Sequence, residues 1–167
     1  MDDATSISNI ISLFARHLDE RDFASVGALF SEIEYRASLG GSGYDGGDPA
    51  TAVRGAGSVA AHYERVVTEI NASWLESLGV PGDPARVRTR HLFDNLVIEI
   101  DEGSETARAS YYGTVQAWAD GVPLTTRYMG RYFDSFERRD GVWRIVRRHQ
   151  AHDYQGYAHQ GLPVARG

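Results

Sequence analysis

The 167-residue chain reads as one α+β domain, with three N-terminal helices laid into the concave face of a single curved, mostly antiparallel sheet. Three observations carry that reading. Apolar residues recur at helical spacing through the first half of the chain, and from Arg86 onward the period changes to two. The later runs are separated by Asp101-Glu102-Gly103, Asp120-Gly121 and Asp140-Gly141. Asp-Gly between β-branched or aromatic runs is a strong hairpin signal, because glycine supplies the positive φ of a tight turn. Finally, the arms around Asp140-Gly141 run from Thr125 to His152, beyond the usual strand of about five or six residues. Long arms imply a bent sheet, and a bent sheet has a hollow side.

Composition narrows the function before any motif is weighed. A single domain of this length buries roughly 70% of its unfolded surface. No apolar run is long enough to span a membrane, and MDDATS leads into no signal-like apolar core, so a cytoplasmic protein is expected. The absence of cysteine excludes disulfides, thiolate catalysis and cysteine-based metal sites. A net charge of −6 without a basic block argues against a nucleic-acid partner. The expected ligand is a small molecule.

The helices come first. Thr5 or Ser6 is placed to cap a helix whose apolar face is Ile7, Ile10, Ile11, Phe14 and Leu18, with Asp19 directly after this stripe. Asp22 is a second N-cap, ahead of Phe23, Val26, Leu29 and Phe30. Ile33–Ser38 (IEYRAS) reads as a short strand centred on Tyr35. The Gly-rich stretch from Leu39 to Ala50 is a rim loop expected to lie over an opening, since no Lys-Ser/Thr pair follows to make it a phosphate loop. Val53-Arg54-Gly55 adds a small strand. A third helix is expected from about Ser58 to Leu78, with Val59, Tyr63, Val66, Val67, Ile70, Trp74 and Leu75 on one face, ended by Gly79 and Pro81.

The strands follow. Val87, Thr89, His91, Phe93, Asn95 and Val97 share one face of the first long strand; Arg88, Arg90, Leu92, Asp94, Leu96 and Ile98 share the other. A strand from Thr106 to Ala119 carries Tyr111, Tyr112, Val115 and Trp118 into the long hairpin. His149 and His152 stand three apart, so on a strand they point to opposite faces. With no further ligand at convincing spacing, no metal site is expected. Arg144, Arg147 and Arg148 read as a solvated face, from which one of them, or His149, could hold an anionic group at the pocket mouth. The domain is set at residues 1–153, with 154–167 a tail and candidate lid. The apolar residues on the outer sheet face predict a homo-oligomer.

Four segments, HLDERDFASVGALF, IEYRAS, RTRHLF and FERRDGVWRI, and the order of elements around them resemble the SnoaL-like, nuclear-transport-factor-2-like superfamily with its cone-shaped, cystatin-like fold. Within it the chain is similar to the branch of scytalone dehydratase, hexachlorocyclohexane dehydrochlorinase and bile-acid 7α-dehydratase. The resemblance implies that His91 is a general base, that Asp19 orients it, and that Tyr35 is a catalytic tyrosine. It implies a substrate-binding set of Tyr111, Tyr112, Tyr132, Phe14, Phe93 and His149, and a trimer, with a dimer as the alternative. The chemistry is coherent unaided. A neutral imidazole removes a proton near neutral pH, and a buried carboxylate fixes its tautomer and stabilises the cation that forms.

The sequence also departs from that branch. Leu18 stands where scytalone dehydratase has a second tyrosine, Tyr111 or Tyr112 where it has a second histidine, Tyr132 near its asparagine and Gly130 near its serine. Phe14 replaces the first-helix tyrosine of the bile-acid enzyme. The expected activity is therefore a cofactor-independent dehydratase, isomerase or cyclase acting on a different small, cyclic, mostly apolar substrate that is polyketide-, terpenoid- or steroid-like. The alternative is a non-catalytic binding module of the same fold. Elimination or isomerisation beside a carbonyl needs a base, an acid and an oxyanion donor, so no cofactor is expected.

Overall fold

The computed structural model describes residues 2–39, 43–101, 103 and 105–155. Helix α1 spans Asp3–Glu20 and α2 spans Phe23–Ala28; strand β1 spans Phe30–Leu39 and β2 spans Val53–Arg54. Helix α3 spans Ala56–Ser77, and the long strands are β3 (Arg88–Ile100), β4 (Thr106–Ala119), β5 (Val122–Arg139) and β6 (Val142–Gln155). They form one sheet in the order β2-β1-β6-β5-β4-β3, antiparallel at every pairing except β1 with β6. This is the expected α+β architecture. Among the described residues, no helix is long and apolar enough to cross a membrane.

The start of α1 differs from expectation. Asp2, not Thr5 or Ser6, is the N-cap, its carboxylate accepting from the Thr5 N–H at 2.8 Å and from the Thr5 hydroxyl at 2.9 Å. A carboxylate at the positive end of the helix dipole outcompetes the neutral hydroxyls one turn on. Asp22 caps α2 through the Ser25 N–H at 3.1 Å, as its position before Phe23 predicted. At the β5–β6 turn Asp140 and Gly141 both have positive φ, 53° and 75°, which is the twist a two-residue hairpin requires.

The core lies between α1, α3 and the concave sheet face. Ile7, Ile11, Phe14 and Leu18 of α1 meet Tyr111, Tyr132, Phe136 and Ile145 of the long strands. The two-residue alternation of β3 breaks at a bulge: Asn95 takes φ 51°, and the pairing shifts between Asp94 and Val97. The extra residue inverts the faces beyond it. Val97 is exposed and Ile98 packs against the core, the reverse of the simple alternation.

The Gly-rich loop also lies elsewhere than expected. Its described part crosses the outer face of the sheet: Tyr44 stacks edge-on against Phe133 and lies under Arg108, and Gly46 and Gly47 press on His149. Gly40 to Ser42 fall outside the described residues. Of the expected lid, Tyr154 and Gln155 extend β6 by pairing with Met129 and Tyr128; the rest, 156–167, is outside the described residues.

Arg148 gives the largest correction. Far from being solvated, its side chain and that of Asp134 are fully buried, and the two are joined by a charge-assisted pair of hydrogen bonds at 2.6 and 2.7 Å. Tyr111 donates to Asp134 and accepts from Arg148, both at 2.8 Å, and the guanidinium sits 3.9 Å from the Phe14 ring centroid. A bulge in β6 around Val146 turns Arg148 inward and His149 outward.

Candidate active site

Asp19 lies in the last turn of α1, where the negative end of the helix dipole disfavours a carboxylate. Three donors offset that cost. The Thr89 hydroxyl donates at 3.1 Å, the His91 backbone N–H at 3.2 Å to each oxygen, and His91 Nδ1 lies 2.7 Å from Oδ1. Thr89 and His91 can both reach it because alternate residues of β3 share a face. The pair is nearly enclosed, with 9% of Asp19 and 10% of His91 exposed. Arg90 approaches only to 3.9 Å from the solvent side and adds little.

Because Asp19 accepts from Nδ1–H, the Nε2 of a neutral His91 carries the lone pair, and Nε2 makes no hydrogen bond among the described residues. His91 lines a cavity of about 80 Å³. The roof is Leu18 of α1 with Tyr63, Val66, Val67 and Ile70 of α3; the floor is Val115, Tyr128 and Tyr132; Tyr35, Gln150 and His152 close the far side. Arg127 and Thr89 complete the lining.

The floor depends on two glycines. Gly113 and Gly130 face each other across β4 and β5, and a Cβ on either would collide with the Tyr132 ring or the Tyr128 hydroxyl respectively. Without those carbons the tyrosines lie down on the sheet. Burial raises the Tyr63 hydroxyl to about 12 and moves those of Tyr128 and Tyr132 upward as well. These hydroxyls therefore stay protonated and act as hydrogen-bond partners, not bases. Burial, reinforced by the neighbouring His149, pushes His152 down to about 4, so it is a neutral imidazole.

The expected site residues divide. Asp19, His91, Tyr35 and Tyr132 meet at the cavity or its rim, with the Tyr35 hydroxyl donating to Gln150 Oε1 at 3.1 Å. Phe14, Phe93 and Tyr111 do not line it: they form the layer behind, with Phe93 edge-on to Tyr111 and Tyr132, and Tyr111 held by Asp134. Tyr112 is 52% exposed on the opposite face of β4, the fate of every second residue on a strand. His149 is also on the outer face, where Nδ1 bonds the Gly43 carbonyl and Nε2 the Ser38 hydroxyl, both at 2.8 Å. Tyr63, Arg127, Tyr128, Gln150 and His152 were not anticipated as lining. The legible signal for the last two was polar side chains at the phase of β6 that faces Tyr132 and Gly130. Among the described residues, no three His, Asp or Glu side chains converge closely enough to hold a metal ion.

Comparison with known proteins agrees with this geometry at the level of fold. An NTF2-like protein with a cystatin-like fold from Novosphingobium aromaticivorans is 19% identical with TM-score 0.65, over 90% of this chain and 81% of that one. ActVI-ORFA from Streptomyces coelicolor is 22% identical with TM-score 0.66, over 90% and 96%. A protein provisionally named scytalone dehydratase, also from Novosphingobium aromaticivorans, is 18% identical with TM-score 0.65, over 98% and 94%. No curated protein matches the sequence. Identities this low speak for the cone and its topology alone. The sequence itself matches the SnoaL-like domain model over residues 1–149. That match spans α1 through most of β6, and with it the chain belongs to the SnoaL-like domain family.

Proposed function

We propose that this protein is a cofactor-independent enzyme, a dehydratase, isomerase or cyclase, with His91 as general base and Asp19 as its orienting partner. One observation carries the reading: an enclosed carboxylate holds Nδ1 of an imidazole that lines the cavity, leaving Nε2 without a partner among the described residues. Structural histidines more often have both nitrogens satisfied, as His149 does here. His91 Nε2 takes a proton from a carbon beside a carbonyl, and the C–H electron pair moves into an enolate whose charge rests on oxygen. Asp19 stabilises the imidazolium. The proton returns to another carbon in isomerisation; in elimination the electron pair expels the leaving group; in cyclisation it attacks a second carbonyl carbon. Tyr35 and Tyr132, the latter kept protonated by its burial, are the hydrogen-bonding groups for the oxygen.

The substrate class is small, cyclic and mostly apolar. Val66, Val67, Ile70, Val115 and Leu18 supply the apolar wall against which a polyketide-, terpenoid- or steroid-like ring would lie. Exchange of α-protons for deuterium in a panel of mono- and bicyclic ketones, followed by NMR in D2O, tests the reading. His91→Ala and Asp19→Asn should each slow exchange by about 10²–10⁴-fold, the usual contribution of a positioned base. Folded variants that exchange at the wild-type rate would favour the binding-module reading instead.

A further inference from the structure

His91 stands on β3, one edge of the sheet, whereas His152 stands on β6, three strands away across β4 and β5. Three strand spacings make about 14 Å on a flat sheet, and the curl of the cone turns the two side chains toward one shared cavity, which both line. Gln150 and His152 are two residues apart on the inward face of β6, opposite Tyr132 and Gly130 of β5. The imidazole stands edge-on to the Tyr128 ring, with centroids 5.1 Å apart. Tyr128 can take that position because Gly130 has no side chain. The strand, the aromatic neighbour and the glycine together fix His152 as part of the wall.

We propose that His152 is the second polar pole of the cavity: it hydrogen-bonds the substrate oxygen on the side opposite His91. The inference rests on the general-base reading of His91 and adds a donor for a second substrate oxygen, beyond the one assigned to Tyr35 and Tyr132. The two histidines are thereby given different work. His91 is held at Nδ1 by a carboxylate, which leaves Nε2 as the nitrogen that takes the proton. His152 is enclosed and lies near His149, which keeps it uncharged, so its N–H donates to a developing oxyanion without first losing a proton to it. Between them the apolar floor holds the carbon skeleton. The substrate this predicts is a conjugated ring system that carries, besides the carbonyl next to the deprotonated carbon, a second oxygen at its far end onto which the enolate charge spreads.

The probe is 2-naphthol, an apolar ring with one oxygen, compared with naphthalene, which lacks it. His152→Phe keeps an aromatic edge against Tyr128 while removing the hydrogen-bonding nitrogens. It should weaken 2-naphthol about tenfold, by loss of one hydrogen bond, and leave naphthalene unchanged. In the wild-type protein, 15N NMR should show the His152 ring nitrogens shifting on addition of 2-naphthol and not of naphthalene, a measurement that holds even if the variant fails to fold. His91→Ala should slow ketone exchange by about 10²–10⁴-fold and leave in place the preference for 2-naphthol over naphthalene. The proposal is overturned if wild type does not bind 2-naphthol, if His152 resonances ignore it, or if His91→Ala and not His152→Phe removes the preference for the hydroxylated ring. Failure of ketone exchange to depend on His91, with the 2-naphthol results intact, would remove the catalytic reading and leave His152 as the oxygen-binding pole.

Discussion

Replacing Asp134 with alanine should be among the most damaging single changes in the protein. Arg148 and Asp134 have no exposed side-chain surface, and the carboxylate accepts from Arg148 Nε, Arg148 Nη2 and the Tyr111 hydroxyl at 2.6 to 2.8 Å. Without it a guanidinium is stranded among Phe14, Phe30 and Tyr132, 3.9 to 5.4 Å from their centroids. Ring faces attract a cation, by about 2 kcal/mol at best, well short of its lost hydration. Breaking a buried ion pair at one end typically costs about 3–5 kcal/mol, out of a total stability of roughly 5–15 kcal/mol. For a domain of this size, each kcal/mol moves Tm by about 2–4 °C, so Asp134→Ala should lower Tm by about 6–20 °C in a circular-dichroism melt. Replacing the whole network with apolar residues, Asp134→Leu with Arg148→Met and Tyr111→Phe, removes the stranded charge and should recover most of the loss. A single variant losing less than about 3 °C, or a triple variant no better than the single, would refute the reasoning.

Asp19→Asn should keep the fold, costing about 1–3 kcal/mol because the amide cannot accept all of the donors that now meet the carboxylate; a cooperative melt near wild type alongside slowed ketone exchange is the expected pair of results. Gly113→Ala and Gly130→Ala should each cost about 1–3 kcal/mol by overpacking and should reduce naphthalene binding, because the tyrosine floor must lift. His152, held near 4 in the fold against about 6.5 in the unfolded chain, binds its proton more weakly when folded. Its contribution is complete above about pH 6.5 and is lost as pH falls toward 4, at most about 3 kcal/mol; urea melts of His152→Phe should show a shallower loss over that window. On the outer face Leu92, Thr114, Met129 and Tyr154 make one cross-strand row, with Leu92, Met129 and Tyr154 47–50% exposed. We propose that a second copy covers it, so light scattering should give a mass above 18.4 kDa that Met129→Lys reduces.

The sequence by itself determined the elements, because helix and strand periods and Asp-Gly turns are local properties. Ile7, Ile11, Phe14 and Leu18 sit on one face of α1 for the same reason that their spacing announces it. The identity of the Asp19–His91 pair was legible through the resemblance, and the distance between them was not, since 72 residues of chain separate them. Only the tertiary structure decided which side of the sheet each later residue faces. A bulge moves the alternation by one residue and inverts everything beyond it, so Val97 went out, Ile98 came in, and Arg148 entered the core while His149 left the cavity. Bulges arise where a sheet must bend to fit the helices packed on it, which is a property of the whole assembly and not of any short stretch. His149 and His152 suggest a metal pair in the sequence, and the strand parity that separates them leaves only His152 on the cavity side. Its place in the wall follows from the curl that brings the two distant strands to one cavity.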